Sequence, residues 1–117
     1  MKYKTCVAIT ENNPKRLATK LKKGLKKSDF AEIRFDFFKP KDIPDALELV
    51  KNQLQRCVCT LRPKTEGGKF SGSENERKSI LKLVAEYNPF LLDIESVSYT
   101  HLRAHETEAD LVCRLLL

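Results

Sequence analysis

Two short strings put charged side chains where apolar runs end: Glu32-Ile33-Arg34-Phe35-Asp36 and Thr60-Leu61-Arg62-Pro63-Lys64-Thr65-Glu66-Gly67-Gly68. Each follows or closes a β-branched or aromatic run, so each reads as the end of a buried strand. Carboxylates and guanidinium groups are costly to desolvate there unless they are paired or bound to a ligand. The carboxyl ends of parallel strands are also where α/β proteins build their ligand sites. Two such ends, each with an Arg and a nearby Glu, suggest one polar pocket for an oxygen-rich anion. Ordinary strand-end ion pairs are the alternative, and the spacing alone leaves both open.

The elements that must position these residues alternate regularly. Strand-like runs fall at Lys4–Ile9, Ala31–Phe35, Arg56–Leu61 and Phe90–Ile94, with helical patterns at Pro14–Lys27, Pro44–Leu54 and Glu74–Tyr87 between them. Asn13 before Pro14 is a cap followed by proline at the first helical position. Ser73-Glu74-Asn75-Glu76 reads as a capping box, the Ser accepting from the backbone while Glu76 reaches back. Asn88-Pro89 stops the third helix. This rhythm argues for βαβ units and a parallel sheet, either a large part of an open α/β domain or about half of an eight-fold barrel. No G-x-G-x-x-G or Walker string follows a strand, so nucleotide-binding folds lose support.

At 117 residues the chain is at most one modest domain, and its 41% hydrophobic and 32% charged content is that of a globular protein rather than a disordered one. No apolar run approaches the ~20 residues of a membrane span. Met1 to Ile9 reads as a first strand and not a signal peptide, so the cytosol is the default compartment and no membrane partner is expected. Cys57 and Cys59 share one face of a strand, where a bridge between them is geometrically poor. With no C-x-x-C pair, the four cysteines read as free, mostly buried thiols, and no metal site is expected. The net charge of +6 comes mainly from Lys15, Arg16, Lys20, Lys22, Lys23, Lys26 and Lys27 in the first helix. Leu17, Leu21 and Leu25 give that helix a core-facing stripe, leaving the cations on a solvated face. A small basic α/β nucleic-acid-binding module is the alternative reading, but no RNP string, helix-turn-helix or zinc-finger spacing accompanies the lysines.

The strings EIRFDFF, VCTLRPKTEGGKFSGSENER and LLDIE, in this order, resemble type I 3-dehydroquinate dehydratase, and the resemblance runs from about Tyr3 to Glu95. It implies an incomplete (β/α)8 TIM barrel, with about four strands and three helices in residues 1–96. It implies that Glu32, Arg34 and Arg62 hold the hydroxyl and carboxylate oxygens of the small-molecule substrate 3-dehydroquinate. It further implies that Glu66 contacts and orients the catalytic histidine, and that Asp36 and Asp93 support the site. These roles suit the side chains: a planar guanidinium makes two aligned bonds to a polyhydroxy acid, and a carboxylate accepts from a hydroxyl or an imidazole N–H. Ala8 departs from the pattern, standing where a polar, substrate-contacting Ser is expected.

The reaction this resemblance implies is a dehydration of the shikimate pathway, from 3-dehydroquinate to 3-dehydroshikimate and water. A lysine forms an imine with the ketone and a histidine moves the proton, with no metal or separate cofactor. Both groups come from later strands. The histidines of this chain are His101 and His105, too early in the fold order, and its last lysine is Lys82 in the third helix. The expectation is therefore a chain without catalytic residues of its own, from a cytoplasmic and homodimeric parent. A structural or interaction protein derived from an inactive half-barrel is a third reading.

From Val97 the composition changes. Residues 97–117 resemble the conceptual translation of a sequencing-library adapter and are expected to be an artefactual tail. His101 and His105 have the i, i+4 spacing of helical metal ligands, with Cys113 as a conceivable third, but the Glu of a zincin helix is missing. Leu102, Leu111 and Leu115 would also permit a genuine C-terminal helix.

Overall fold

Four parallel strands form the frame in the computed structural model, which describes residues 4–93. The expectations placed on residues 94–117, including the adapter-like tail, the His101–His105–Cys113 metal reading and a C-terminal helix, lie outside the described residues. The strands are β1 (Cys6–Ile9), β2 (Phe30–Arg34), β3 (Cys57–Thr60) and β4 (Leu91–Asp93), and they pair in chain order. Between them run α1 (Pro14–Lys27), α2 (Ile43–Val50) and α3 (Glu74–Glu86). Strand, helix, strand repeated three times with sequential neighbours is the α/β arrangement of a partial barrel.

Local chemistry explains the helix starts. The Asn13 side-chain Oδ1 accepts from the N–H groups of Lys15 and Arg16 at 2.9 and 3.1 Å, satisfying two of the orphan donors of α1. Leu17, Leu21 and Leu25 are buried while all seven cations of that helix are exposed, as a solvated amphipathic face requires. The Ser73 hydroxyl accepts from the Glu76 N–H at 3.1 Å. The reciprocal half of the capping box does not form among the described residues; the Glu76 carboxylate instead lies over Gly72. The second helix is shorter than its apolar pattern suggests. It ends at Val50, and Gln53 N–H bonds back to Val50 O at 2.9 Å before a 3-10 turn at Leu54–Arg56. That tightening tucks Leu54 fully into the core and turns the chain into β3.

The two faces of the sheet differ because side chains alternate along each strand. Ala31, Ile33, Cys57 and Cys59 face the helices and join Leu17, Leu21, Ala46, Leu47, Val50 and Leu81 in the main core. Val58 and Leu91 belong to a second, smaller cluster with Cys6 and Phe90, and the Phe30 and Phe90 rings meet with centroids 4.3 Å apart. Glu32, Arg34 and Thr60 share that second face by alternation, Glu32 level with Val58 and Leu91, and Arg34 and Thr60 two residues nearer the carboxyl ends. The inner face is thus apolar at its base and charged at its rim.

Candidate active site

The rim is held by a short chain of bonds. Glu32 is buried on β2, and its carboxylate accepts from the buried Thr60 hydroxyl of β3 at 2.8 Å. The parallel register sets Ala8, Glu32, Val58 and Leu91 in one row, and Arg34, Thr60 and Asp93 in the next. At the end of β2 the Arg34 guanidinium donates from Nε and Nη2 to the two oxygens of Asp36, at 2.9 and 2.8 Å. These hydrogen bonds raise the Arg34 pKa above its ordinary value. Burial opposes them, and the negative charges of Asp36, Glu32 and Asp93 add to them. Arg34 is therefore a fixed cation with a partly exposed edge.

Arg62 is held more loosely. Its Nη2 lies 3.5 Å from the Asp93 carboxylate at the end of β4, and both side chains are about one-third exposed. Its Nε is buried and has no hydrogen-bond partner among the described residues. Asp93 is within electrostatic reach of Arg34 as well, so the exits of β2, β3 and β4 converge on one polar region. A guanidinium with donors to spare beside a second, fixed guanidinium can take a carboxylate or vicinal hydroxyls.

The loop after β3 is built to stay close. Phe70 N–H donates to Arg62 O at 3.2 Å, Lys64 N–H to Phe70 O at 3.0 Å and Gly68 N–H to Pro63 O at 2.9 Å. Both glycines are structurally required, for different reasons. Gly67 has φ +86°, in the left-handed region that L side chains avoid, while a Cβ on Gly68 would sit 2.0 Å from the Arg62 carbonyl oxygen. Glu66 stands on this loop in the 3-10 turn Lys64–Glu66, exposed, its side chain bonded to none of the described residues. Glu32, Arg34 and Arg62 are thus brought to one end of the sheet, and Glu66 stands on the loop that follows Arg62. Ala8 adds no polar group to the row it shares with Glu32.

Arg77 plays a part that the sequence reading did not assign. It is 1% exposed on α3, and its Nε donates to the Leu61 carbonyl at 3.0 Å, fixing the backbone one residue before Arg62. Its signal was available: positions 77, 81 and 84 form the buried stripe of α3, so an Arg there had to face inward. Arg56 works at the opposite end of the sheet. Its guanidinium caps the Leu25 carbonyl in the last turn of α1 and the Ser28 carbonyl just after it, at 2.9 and 3.0 Å, and also donates to the Asp29 carbonyl. Cys6, Cys57 and Cys59 are free thiols, as the spacing suggests. Burial pushes Cys6 up to about 11 and Cys57 up to about 12, with Cys59 also well above the ordinary value. Unionised thiols of this kind pack as small apolar groups. Among the described residues, no helix is long and apolar enough to cross a membrane.

Residues 5–111 match the sequence profile of the type I 3-dehydroquinase family. A chloroplastic bifunctional 3-dehydroquinate dehydratase/shikimate dehydrogenase of Arabidopsis thaliana is 36% identical over 69 residues, covering 58% of this chain and 11% of that protein. The 3-dehydroquinate dehydratase of Methanocaldococcus jannaschii is 29% identical over 90 residues, covering 77% of this chain and 40% of that one. The crystal structure of type I 3-dehydroquinate dehydratase from Clostridium difficile superposes with a TM-score of 0.70 at 26% identity, over 82% of this chain and 41% of that one. The enzyme from Enterococcus faecalis, at 21% identity, shares the fold with a TM-score of 0.68 over 97% of this chain and 48% of its own. The chain therefore spans less than half the length of each of these relatives.

Proposed function

This chain belongs to the type I 3-dehydroquinase family, and from that premise we propose that it supplies the first four strands of a 3-dehydroquinate dehydratase. The complete enzyme removes water from 3-dehydroquinate to give 3-dehydroshikimate. Glu32, Arg34 and Arg62 hold the substrate's oxygens, and Glu66 orients the histidine that moves the proton. The observation that carries this reading is the convergence of Arg34, Arg62 and the Thr60-bound Glu32 on one rim of the inner face. A cyclic polyhydroxy acid presents a carboxylate for the guanidiniums and hydroxyls for the carboxylate.

The chemical step needs an amine to form the imine with the substrate ketone, which acidifies the adjacent carbon. It also needs a base to take that proton and return it to the departing hydroxyl. In our reading both groups stand on later strands of the complete barrel. The residues of this chain bind and orient, and the 117-residue chain is itself inactive. In this reading residues 1–96 form the dehydratase portion and 97–117 are an added tail, although the family profile runs on to residue 111. The complete enzyme is cytoplasmic and homodimeric, with no nucleic-acid partner.

The test is made on the complete enzyme, following the conjugated product by its ultraviolet absorbance and trapping the imine with borohydride. Arg62→Ala should lower kcat/KM by roughly 2–5 kcal/mol in transition-state terms, because it strips a charge partner from an enclosed site. Lys23→Ala, on the solvated face of α1, should stay within about 0.5 kcal/mol. Equal effects would mean that the pocket has been misplaced, and turnover by the 117-residue chain would refute the division of labour.

A further inference from the structure

Asp36 stands in the single 3-10 turn Phe35–Phe37 that closes β2, and its side chain has no solvent exposure. Three donors use its two oxygens. Arg34 Nε reaches Oδ1 at 2.9 Å, Arg34 Nη2 reaches Oδ2 at 2.8 Å, and the backbone N–H of Lys69 reaches Oδ2 at 2.9 Å. Lys69 belongs to the loop after β3, the one that carries Glu66 and is closed on itself by the Arg62–Phe70 and Pro63–Gly68 bonds. A second contact runs along the same seam: the Phe37 ring lies 5.3 Å from the Arg34 guanidinium carbon and 5.7 Å from the Lys69 ammonium. A buried carboxylate with this many charge-assisted and backbone donors is held in one geometry.

We propose that Asp36 is a positioning residue with two outputs, setting the substrate-facing edge of Arg34 and, independently, the height of the Glu66 loop over the rim. The inference rests on the functional reading above, because it takes Arg34 as a substrate ligand and Glu66 as the group that orients the histidine. Asp36 itself, buried with both oxygens engaged, touches no substrate. The two outputs separate in the kinetics. Arg34 grips oxygens present in both ground and transition states, so its displacement appears in KM. Glu66 acts on the proton-moving group, so displacement of its loop appears in kcat. Asn at position 36 retains one acceptor but turns an N–H group toward donors, so both links weaken.

In the complete enzyme, Asp36→Asn should raise KM and lower kcat, each by about 10–100-fold, the scale expected of a displacement near 1 Å. In an Arg34→Ala background the same change should leave KM alone and still lower kcat by about tenfold. No further loss of kcat in that background would overturn the second output, and wild-type kinetics for Asp36→Asn alone would overturn both. A measurement free of any change at position 36 guards against a variant that fails to fold. The Lys69 amide of the folded wild type should exchange far more slowly than the Thr65 amide of the same loop, which donates to none of the described residues, and equally fast exchange would overturn the link. An unsubstituted complete enzyme inert toward 3-dehydroquinate would refute the functional reading and this inference with it. An active enzyme indifferent to Asp36→Asn would refute the inference alone.

Discussion

Replacing Thr60 by Val tests the bond on which the Glu32 placement depends. Val has the shape of Thr and suits a strand at least as well, so a buried, 1% exposed position should repack without a cavity. What is lost is the 2.8 Å hydrogen bond from the hydroxyl to a carboxylate that is itself only 7% exposed. A hydrogen bond to a charged group contributes about 1.5–3 kcal/mol, and leaving a buried acceptor unmet sets the cost at the upper part of that range. For a complete barrel of family size, with a cost of about 2–3 kcal/mol and a shift of about 2–4 °C per kcal/mol, the melting temperature should fall by about 4–12 °C. Scanning calorimetry at pH 7 reads this directly, with Thr60→Ser, which keeps the donor, as the control. In a Glu32→Gln background the acceptor is neutral, so Thr60→Val should cost about half as much. A change within about 1 °C, or equal losses in both backgrounds, would show that the hydroxyl–carboxylate bond does not hold Glu32 in place.

Three further outcomes are expected. Gly67→Ala should cost about 1–2 kcal/mol in thermal stability through its left-handed φ alone, whereas Gly68→Ala should cost more and disturb Arg62, because its Cβ meets the Arg62 carbonyl at 2.0 Å; equal costs would contradict the loop geometry. Arg77→Met should destabilise by about 1–3 kcal/mol through the unmet Leu61 carbonyl, with Arg77→Ala costing about 2 kcal/mol more for the cavity; a Met variant as stable as wild type in urea denaturation would mean that desolvation of the guanidinium cancels its bond. Folded Cys6 and Cys57 keep their protons to about 11 and about 12, well past the value near 9 of exposed thiols. Unfolded thiols ionise first as pH rises, so the thiol contribution to stability is fully present below pH 9 and declines above it toward pH 12. Residue-resolved alkylation at pH 8 should find Cys57 and Cys59 unlabelled in the folded protein and fully labelled in urea; equal labelling would remove the basis for this pH dependence.

Much of the scaffold is legible in the sequence because its determinants are local. Asn13-Pro14 places the start of α1, the Leu17, Leu21 and Leu25 stripe fixes its buried face, and the charges after each apolar run locate the strand exits. The bounds of α1 match the pattern, and the other bounds within the described residues agree to within two residues, except in α2. There the apolar residues Val50 and Leu54 continue a helical spacing, yet tertiary packing closes the helix early with a 3-10 turn. The grouping of Glu32, Arg34 and Arg62 follows from parallel pairing, which carries all strand ends to one side. What stayed hidden depends on partners distant in sequence: Asp36 reaching Lys69, Arg77 reaching Leu61, and Arg56 reaching the end of α1. No spacing rule encodes a side chain that bonds to the backbone of another element.

The alternation along β2 has a consequence for inherited change. Ala31 and Ile33 are written into the folding of the protein, and Glu32 and Arg34, in the function proposed above, into what it can grip, yet the two texts share one five-residue word, Phe30–Arg34. Point substitutions can revise one text while leaving the other intact, so new ligand preferences can be sampled at Glu32 or Arg34 while the helix-facing layer is conserved. A single inserted or deleted codon within that word has no such freedom. It exchanges the readers of every downstream letter, sending Ile33 to the rim and a charged group into the apolar layer. Lineages carrying this sheet should therefore vary by replacement within the strands and confine changes of length to the loops beyond them.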